Sequence, residues 1–371
     1  MKVPKTRSQA LGNVRRVVLQ VSRSVLTEPP VARVRALAAE IAHLSEGGVD
    51  VVVITSGAIG MGTIGLGLKR RPQQLPLFQA ASAVGQVALI HAWDDALAAH
   101  GMPVAQVMMT RDDLDDRLRF LRLRHTLLSL LDYGVVPVVN ENQSVSTDEF
   151  ITRGTDMLAA CLPRLVDADL LVMLTSAEGI YGAPPSQGGG VITLVEDIDA
   201  LKARVANGVA AGRVQQMLAT KVEAARLAAE DGVPTVVASG LRPGALANLL
   251  DDDTAGTLLM PRRALRSRKH WIAVDLSPAG ALQVDSGARR SLVEEGRSLL
   301  CVGVVQVEGQ FEAGEVVRVL DKDGAEFARG LCSYGADELS RVKGKSQDEI
   351  EAILGYRLYD EAIRNSDLVI L

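Results

Sequence analysis

Short runs of β-branched and other apolar residues recur from Val17 to about Pro261, separated by Ala- and Leu-rich stretches of helical period. The runs are Val17–Val21, Val49–Ile54, Pro103–Met109, Val135–Val139, Leu170–Leu174 and Thr235–Ala238. Strands that are apolar on both sides of the pleat belong to parallel sheets covered by helices, so the pattern predicts an α/β fold, a parallel-sheet αβα sandwich. Between the runs, "VARVRALAAEIAHLSEGG" and "TKVEAARLAAEDG" each end in glycine, as a helix does before the chain turns back into a strand.

The pattern changes at "PRRALRSRKHW", Pro261 to Trp271. Beyond it come short alternating segments with glycine turns, such as "GALQVDSGA" and "GVVQVEGQFEAGEVVRVLDKDG", which predict a small β-barrel of roughly 90 to 100 residues. The expected domains are 1–262 and 271–371. With 371 residues and 47% hydrophobic composition, the chain can bury a large core. A net charge of -5 gives no general attraction to nucleic acid, so a small anionic substrate would need a local positive site. Cys161, Cys301 and Cys332 lack metal-ligand spacing and are expected as reduced thiols. The basic start lacks an apolar signal core and no run of about 18 apolar residues occurs, so no membrane span is expected and the predicted location is cytoplasmic.

In "VVVITSGAIGMGTIGLG" a strand runs directly into a Ser-Gly turn and a glycine-dense segment. Glycines there let backbone N–H groups approach an anion, and a following helix N-terminus favours negative charge, which makes Ser56, Gly57 and Ala58 candidate anion contacts. A loop used only for tight turning has the same signature. "VVPVVNENQSVSTDEF" places Asn140, Glu141, Asn142 and Gln143 directly after a buried strand, where such groups can orient a small polar substrate. Asp156 stands at the start of a helical run and Lys221 in the first turn of another. Together they could arrange phosphates and offset developing charge, and apart they read as a helix N-terminal acid and a solvated lysine. "TRDDLDDRLRF" reads as a solvated helix start with Thr110 as a possible cap.

In order and spacing, "TSGAIGMG", "AVGQ", "TRDDLDDRLRF", "VVPVVNEN" and "LTSAEGIYGAPP" resemble glutamate 5-kinase, a family within the amino-acid kinase superfamily. Downstream, "RKHWI", "GALQVDSGA", "SLLCVGVV", "FEAGEVVRV", "ARGLCSYG" and "LGYRLYDEA" resemble the PUA domain that follows the kinase in many members. The resemblance implies an amino-acid kinase fold and transfer of the ATP γ-phosphate to the side-chain carboxylate of L-glutamate, with Mg2+, as the first step of proline biosynthesis. It also implies a homo-oligomer, dimer or tetramer, and inhibition by proline.

Carried over residue by residue, the resemblance implies catalytic roles for Lys221, Asp156 and the position of Gln20, where the family has a lysine that contacts the transferring phosphate. It implies substrate binding by Ser56, Gly57, Gln143 and Thr155, and nucleotide binding by Thr175, Ser176 and Lys221. Several positions depart from the family. Gln143 replaces an aspartate, Thr155 an asparagine, Ser176 an aspartate, and Arg122 an asparagine. "VQQML" (Val214–Leu218) stands where the family has a glycine-rich loop, and Arg23 or Arg16 would have to supply the charge that Gln20 lacks. Two other readings remain open at this point: a non-catalytic paralogue with a regulatory or oligomerising role, and RNA binding through the PUA-like domain and the basic run Arg262, Arg263, Arg266, Arg268 and Lys269.

Overall fold

The computed structural model describes residues 11–26, 30–145, 155–183, 188–207, 213–246, 249, 255–261, 272, 277–356 and 359–371. The chain forms two compact units, one of residues 1–111 and 126–265, the other of 112–125 and 266–371.

The first unit is built on an eight-stranded sheet in the order β3-β4-β2-β1-β5-β7-β8-β6. Its strands are β1 (Arg16–Val21), β2 (Asp50–Ile54), β3 (Val104–Met109), β4 (Val136–Glu141), β5 (Leu170–Thr175), β6 (Leu194–Val195), β7 (Thr235–Ser239) and β8 (Thr257–Leu259). All neighbours run parallel except β7 and β8, which pair antiparallel. Central strand β1 lies between β2 and β5, with Gln20 opposite Ile54 on one side and Met173 on the other. Consecutive residues Val18 and Leu19 are both fully buried. Because successive side chains point to opposite faces, both faces of the sheet are covered there.

Around this sheet run α1 (Pro30–Glu46), α2 (Ala58–Gly65), α3 (Leu75–Ala98), α6 (Thr155–Leu165), α7 (Ile198–Asn207) and α8 (Arg213–Glu230), whereas α4 (Asp112–Asp115) and the first half of α5 (Arg117–Asp132) belong to the second unit. Helices α2 and α3 cross backbone to backbone. A Cβ on Gly62 would lie 1.7 Å from the Ala81 carbonyl oxygen, and one on Gly85 would lie 1.7 Å from that of Ala58. By length and composition α3 could cross a membrane. Its Ala81, Leu89, Trp93 and Leu97 are fully buried, however, and the Trp93 indole donates to Thr55 Oγ1 at 2.9 Å, so it serves as a core helix.

The second unit holds a five-stranded sheet and a two-stranded ladder. Its strands are β9 (Gly280–Val284), β10 (Leu299–Leu300), β11 (Val304–Gly309), β12 (Val316–Leu320), β13 (Glu326–Leu331), β14 (Glu361–Ile363) and β15 (Leu368–Ile370), with the larger sheet ordered β11-β9-β12-β13-β15. Its helices are α9 (Ser286–Glu294), α10 (Ala336–Val342) and α11 (Gln347–Leu354). Asp285 caps α9 by accepting from the Ala288 N–H at 2.7 Å. At the start of α5 Asp116 is the capping side chain, accepting from the Arg119 N–H at 2.8 Å.

Asp367 is fully buried in this unit, where it accepts from Arg124 Nε at 2.7 Å and pairs with His125 Nε2 at 2.5 Å. Burial alone would raise its carboxyl pKa, but the His125 hydrogen bond and the Arg124 charge outweigh that and hold it below the ordinary 3.8. Burial also pushes the Cys301 and Cys332 thiols up to about 12.

This packing has measurable effects on stability. Gly85→Ala should destabilise the protein by more than the ~1–3 kcal/mol of ordinary overpacking, because the obstacle is backbone; thermal unfolding followed by circular dichroism reads it. The folded pKa of Asp367 is depressed, so its contribution is present above the ordinary value and is lost as pH falls through the folded value. Asp367→Asn should therefore flatten the acid limb of the stability profile in denaturant titrations. At neutral pH it should cost about 3–5 kcal/mol by leaving Arg124 buried without its carboxylate.

Candidate active site

The carboxyl ends of β1, β2 and β4 meet at one edge of the first unit's sheet, where open α/β sheets bind ligands. Thr55, just past β2, donates its N–H to the Val139 carbonyl at 2.9 Å, which fixes the Ser56–Gly57 turn beside the end of β4. Ser56 Oγ donates to the Val21 carbonyl at 2.9 Å, tying the same turn to the end of β1. Gly57 has φ 118° and open space where a Cβ would stand, and it precedes the N-terminus of α2. Only glycine holds that backbone without strain, and the turn leaves the helix N–H groups open to an anion. The glycines that follow are used differently, since Gly62 makes the close crossing with α3.

Lys221 is the buried cation of this edge, with its side chain 1% exposed. Its ammonium donates to Asp156 Oδ1 at 2.9 Å and to Gln20 Oε1 at 3.0 Å. Asp156 stands in the first turn of α6. Its Oδ1 also accepts from Gln20 Nε2 at 2.9 Å, and its Oδ2 accepts from the Thr220 hydroxyl at 2.5 Å. Gln20 Nε2 further donates to Thr155 Oγ1 at 3.0 Å. Both amide hydrogens of Gln20 are thus engaged, so in this arrangement it holds Lys221 and Asp156 together and offers no free donor to a phosphate.

On the acceptor side the geometry differs from the sequence expectation. Asn140 and Glu141 are the last residues of β4 and are buried, where a loop after the strand was expected. Gln143 turns inward, donating to Glu141 Oε2 at 3.1 Å and accepting from Ser82 Oγ at 3.2 Å. The Asn142 N–H donates to the Met109 carbonyl at 2.8 Å, which ties the turn after β4 to the end of β3. On the far side, Thr175 ends β5 fully buried and donates to Met217 Sδ at 3.3 Å. Ser176 is exposed, and its N–H donates to Ser24 Oγ at 3.2 Å.

Other expectations are corrected. Lys221 lies well inside α8 and is buried, where the sequence suggested a first-turn or solvated lysine, because the helix begins eight residues earlier at Arg213. For the same reason "VQQML" is helical and supplies no flexible loop. Arg16 stands at the opposite end of β1, bound to Asp50 Oδ2 at 2.8 Å and to the Val166 carbonyl at 2.7 Å, so it supplies no charge near Gln20. Arg23 is exposed, and after burial its charge is the second cause that lowers the pKa of Arg71, whose guanidinium lies 5.2 Å from the Phe78 ring centre. Arg122 is exposed and belongs to the second unit. The basic run at 262–269 lies outside the described residues. Sequence reasoning missed Ser82, Gln86 and Thr220; only the position of the first two in and beside "AVGQ" hinted at them.

A largely parallel sheet that presents a paired, buried ammonium and an open glycine turn at its carboxyl edge suits phosphoryl transfer. Comparison with known proteins agrees. The model described as "Amino acid kinase family" matches residues 15–239, and that of the "PUA domain" matches 280–354. "Glutamate 5-kinase" of Pelobacter propionicus is 42% identical over 372 residues, covering 98% of this chain and 100% of that protein. Those of Myxococcus xanthus and Moorella thermoacetica are 42% and 41% identical, each covering 98% of this chain and 98% of that protein. Among solved structures, isopentenyl phosphate kinase of T. acidophilum in its product complex aligns with a TM-score of 0.46 and 15% identity, covering 66% of this chain and 99% of that chain. The chain belongs to the amino acid kinase family and, within it, to the glutamate 5-kinases.

A lysine at position 20 would lose the acceptor for Lys221 and set a second ammonium against it. Gln20→Lys should therefore lower the stability of the ligand-free protein by about 1–3 kcal/mol, read by thermal unfolding without nucleotide.

Proposed function

We infer that this chain is a glutamate 5-kinase, transferring the γ-phosphate of ATP to the side-chain carboxylate of L-glutamate to give L-glutamyl 5-phosphate, the first step of proline biosynthesis. The observation that carries the reading is the buried Lys221 ammonium, held by Asp156 and Gln20 at the sheet edge that also presents the Ser56–Gly57 turn. Phosphoryl transfer asks for positioning and charge stabilisation more than covalent help, and this cluster supplies both.

In the proposed site Lys221 offsets charge on the transferring phosphoryl oxygens, and Asp156 fixes where the ammonium stands. Gln20 acts as a positioning residue through its bonds to both. The Ser56–Gly57 turn and the N-terminus of α2 receive phosphate oxygens, Gln143 and Thr155 border the acceptor, and Thr175 and Ser176 border the nucleotide. The open space beside Gly57 and the buried ammonium fit a polyphosphate. Magnesium, when bound, neutralises charge between the phosphates. Among the described residues no three metal-ligating side chains come together. Such an ion would therefore be held chiefly by phosphate oxygens and water, as Mg2+ usually is, with Asp156 as the neighbouring carboxylate.

The reading includes a cytoplasmic location, a kinase domain over 1–262, a PUA-like domain over 271–371, inhibition by proline, and a homo-oligomer. Exposed Ile64, Val84 and Val87 on α2 and α3 support the oligomer, since such side chains favour burial against a second copy.

The test is an assay of purified protein with ATP, Mg2+ and L-glutamate, trapping the acyl phosphate as its hydroxamate. Wild type should form hydroxamate, and Lys221→Met should lower kcat on the order of a hundred- to a thousandfold. A silent wild type under conditions where an active relative turns over would remove the catalytic reading and leave the non-catalytic paralogue.

A further inference from the structure

Helix α3 turns one face toward the carboxyl ends of β2 and β4. Ser82 bonds Gln143, Gln86 bonds Asn140 and Trp93 bonds Thr55. The contact with Asn140 has a direction that can be fixed atom by atom. The backbone N–H of Glu141 donates to Asn140 Oδ1 at 2.9 Å, so the other end of that amide, Nδ2, must face Gln86. It donates to Gln86 Oε1 at 2.8 Å, so the Gln86 oxygen is committed and Nε2 points elsewhere. A main-chain donor whose polarity is not in question therefore sets the orientation of both side-chain amides.

Gln86 is 6% exposed and Asn140 2%, and Gln86 Nε2 finds no hydrogen-bond partner among the described residues. A buried donor left unpaired is costly, and native proteins keep few of them. This one sits at the end of β4, next to the strand whose following turn carries Ser56 and Gly57.

We propose that Gln86 is a substrate-binding residue of the acceptor site, its Nε2–H donating to a carboxylate of the amino-acid acceptor, with Asn140 and the Glu141 N–H fixing the donor's direction. The proposal rests on the kinase reading above. An ionised carboxylate only accepts hydrogen bonds, so it complements a lone donor where an ammonium or a second amide N–H would clash with it. Gln86 then selects for a carboxylate-bearing acceptor, whereas Gln143 turns its amide to Glu141 and Ser82.

The test compares wild type with Gln86→Glu and Gln86→Met. Glutamate at this position keeps an oxygen to accept from Asn140 and replaces the free N–H with oxygen, while methionine keeps the length and removes both functions. Calorimetric titration with L-glutamate, together with steady-state kinetics, should show Kd and KM for glutamate raised about tenfold or more in both variants. KM for ATP should be unchanged in both variants, even where the buried carboxylate of Gln86→Glu lowers Tm; a merely structural residue would move both KM values together. If one variant fails to fold, the other carries the same comparison. Unchanged glutamate Kd and KM in a folded variant would mean that the donor meets only water, and would overturn the proposal while leaving the kinase reading intact. A wild type that neither binds nor phosphorylates glutamate would overturn both.

Discussion

A lysine that is almost wholly buried can keep its charge only if the surrounding chain supplies an acid and further acceptors, and that requirement organises the first unit. Lys221 reaches the sheet edge from the middle of α8, Asp156 arrives from the first turn of α6, and Gln20 comes from central strand β1. Three elements far apart in sequence must therefore be in place before the ammonium is satisfied. Their registry is held by what lies beneath: β1 is bracketed by β2 and β5, and α6 and α8 pack against each other and against the sheet. The chemistry of the edge and the order of the core are one constraint.

The glycine-dense stretch divides its labour in a way that its letters do not separate. Gly57 is used for its positive φ and for the open space at the mouth of α2, whereas Gly62 and Gly85 are used for the absence of a side chain where two helix backbones touch. The first is a demand of the turn's backbone and the other two are demands of packing. Yet the packing contact also serves the site, because it lays α3 close enough for Ser82, Gln86 and Trp93 to reach the ends of β2 and β4.

Much of the frame was legible in advance. Six apolar runs with helical spacers produce six of the eight strands within a residue or two at either end, since buried parallel strands leave little latitude in composition. The short β6 and β8 carry too few residues to stand out, and β8 reverses direction, which no local pattern records. Strand β4 runs on through Asn140 and Glu141, whose side chains meet Gln86 and Gln143, and those partners are visible only in three dimensions. The depth of Lys221 was hidden for a related reason: "VQQML" extends α8 toward its N-terminus, so a lysine that looked terminal became internal. The candidate site residues were named from the family pattern in the sequence. The support from α3 could not, because nothing in an apolar helix announces which of its few polar atoms lies opposite a strand end.

The neutral amide at position 20 bears on how the protein waits between turnovers. Two ammonium groups facing one another in a buried pocket need an anion to coexist, so a site built that way leans on its ligand for its own integrity. Here one ammonium, one carboxylate and one carboxamide close a set of hydrogen bonds among themselves. The buried ammonium is balanced by a carboxylate and a carboxamide of the chain itself.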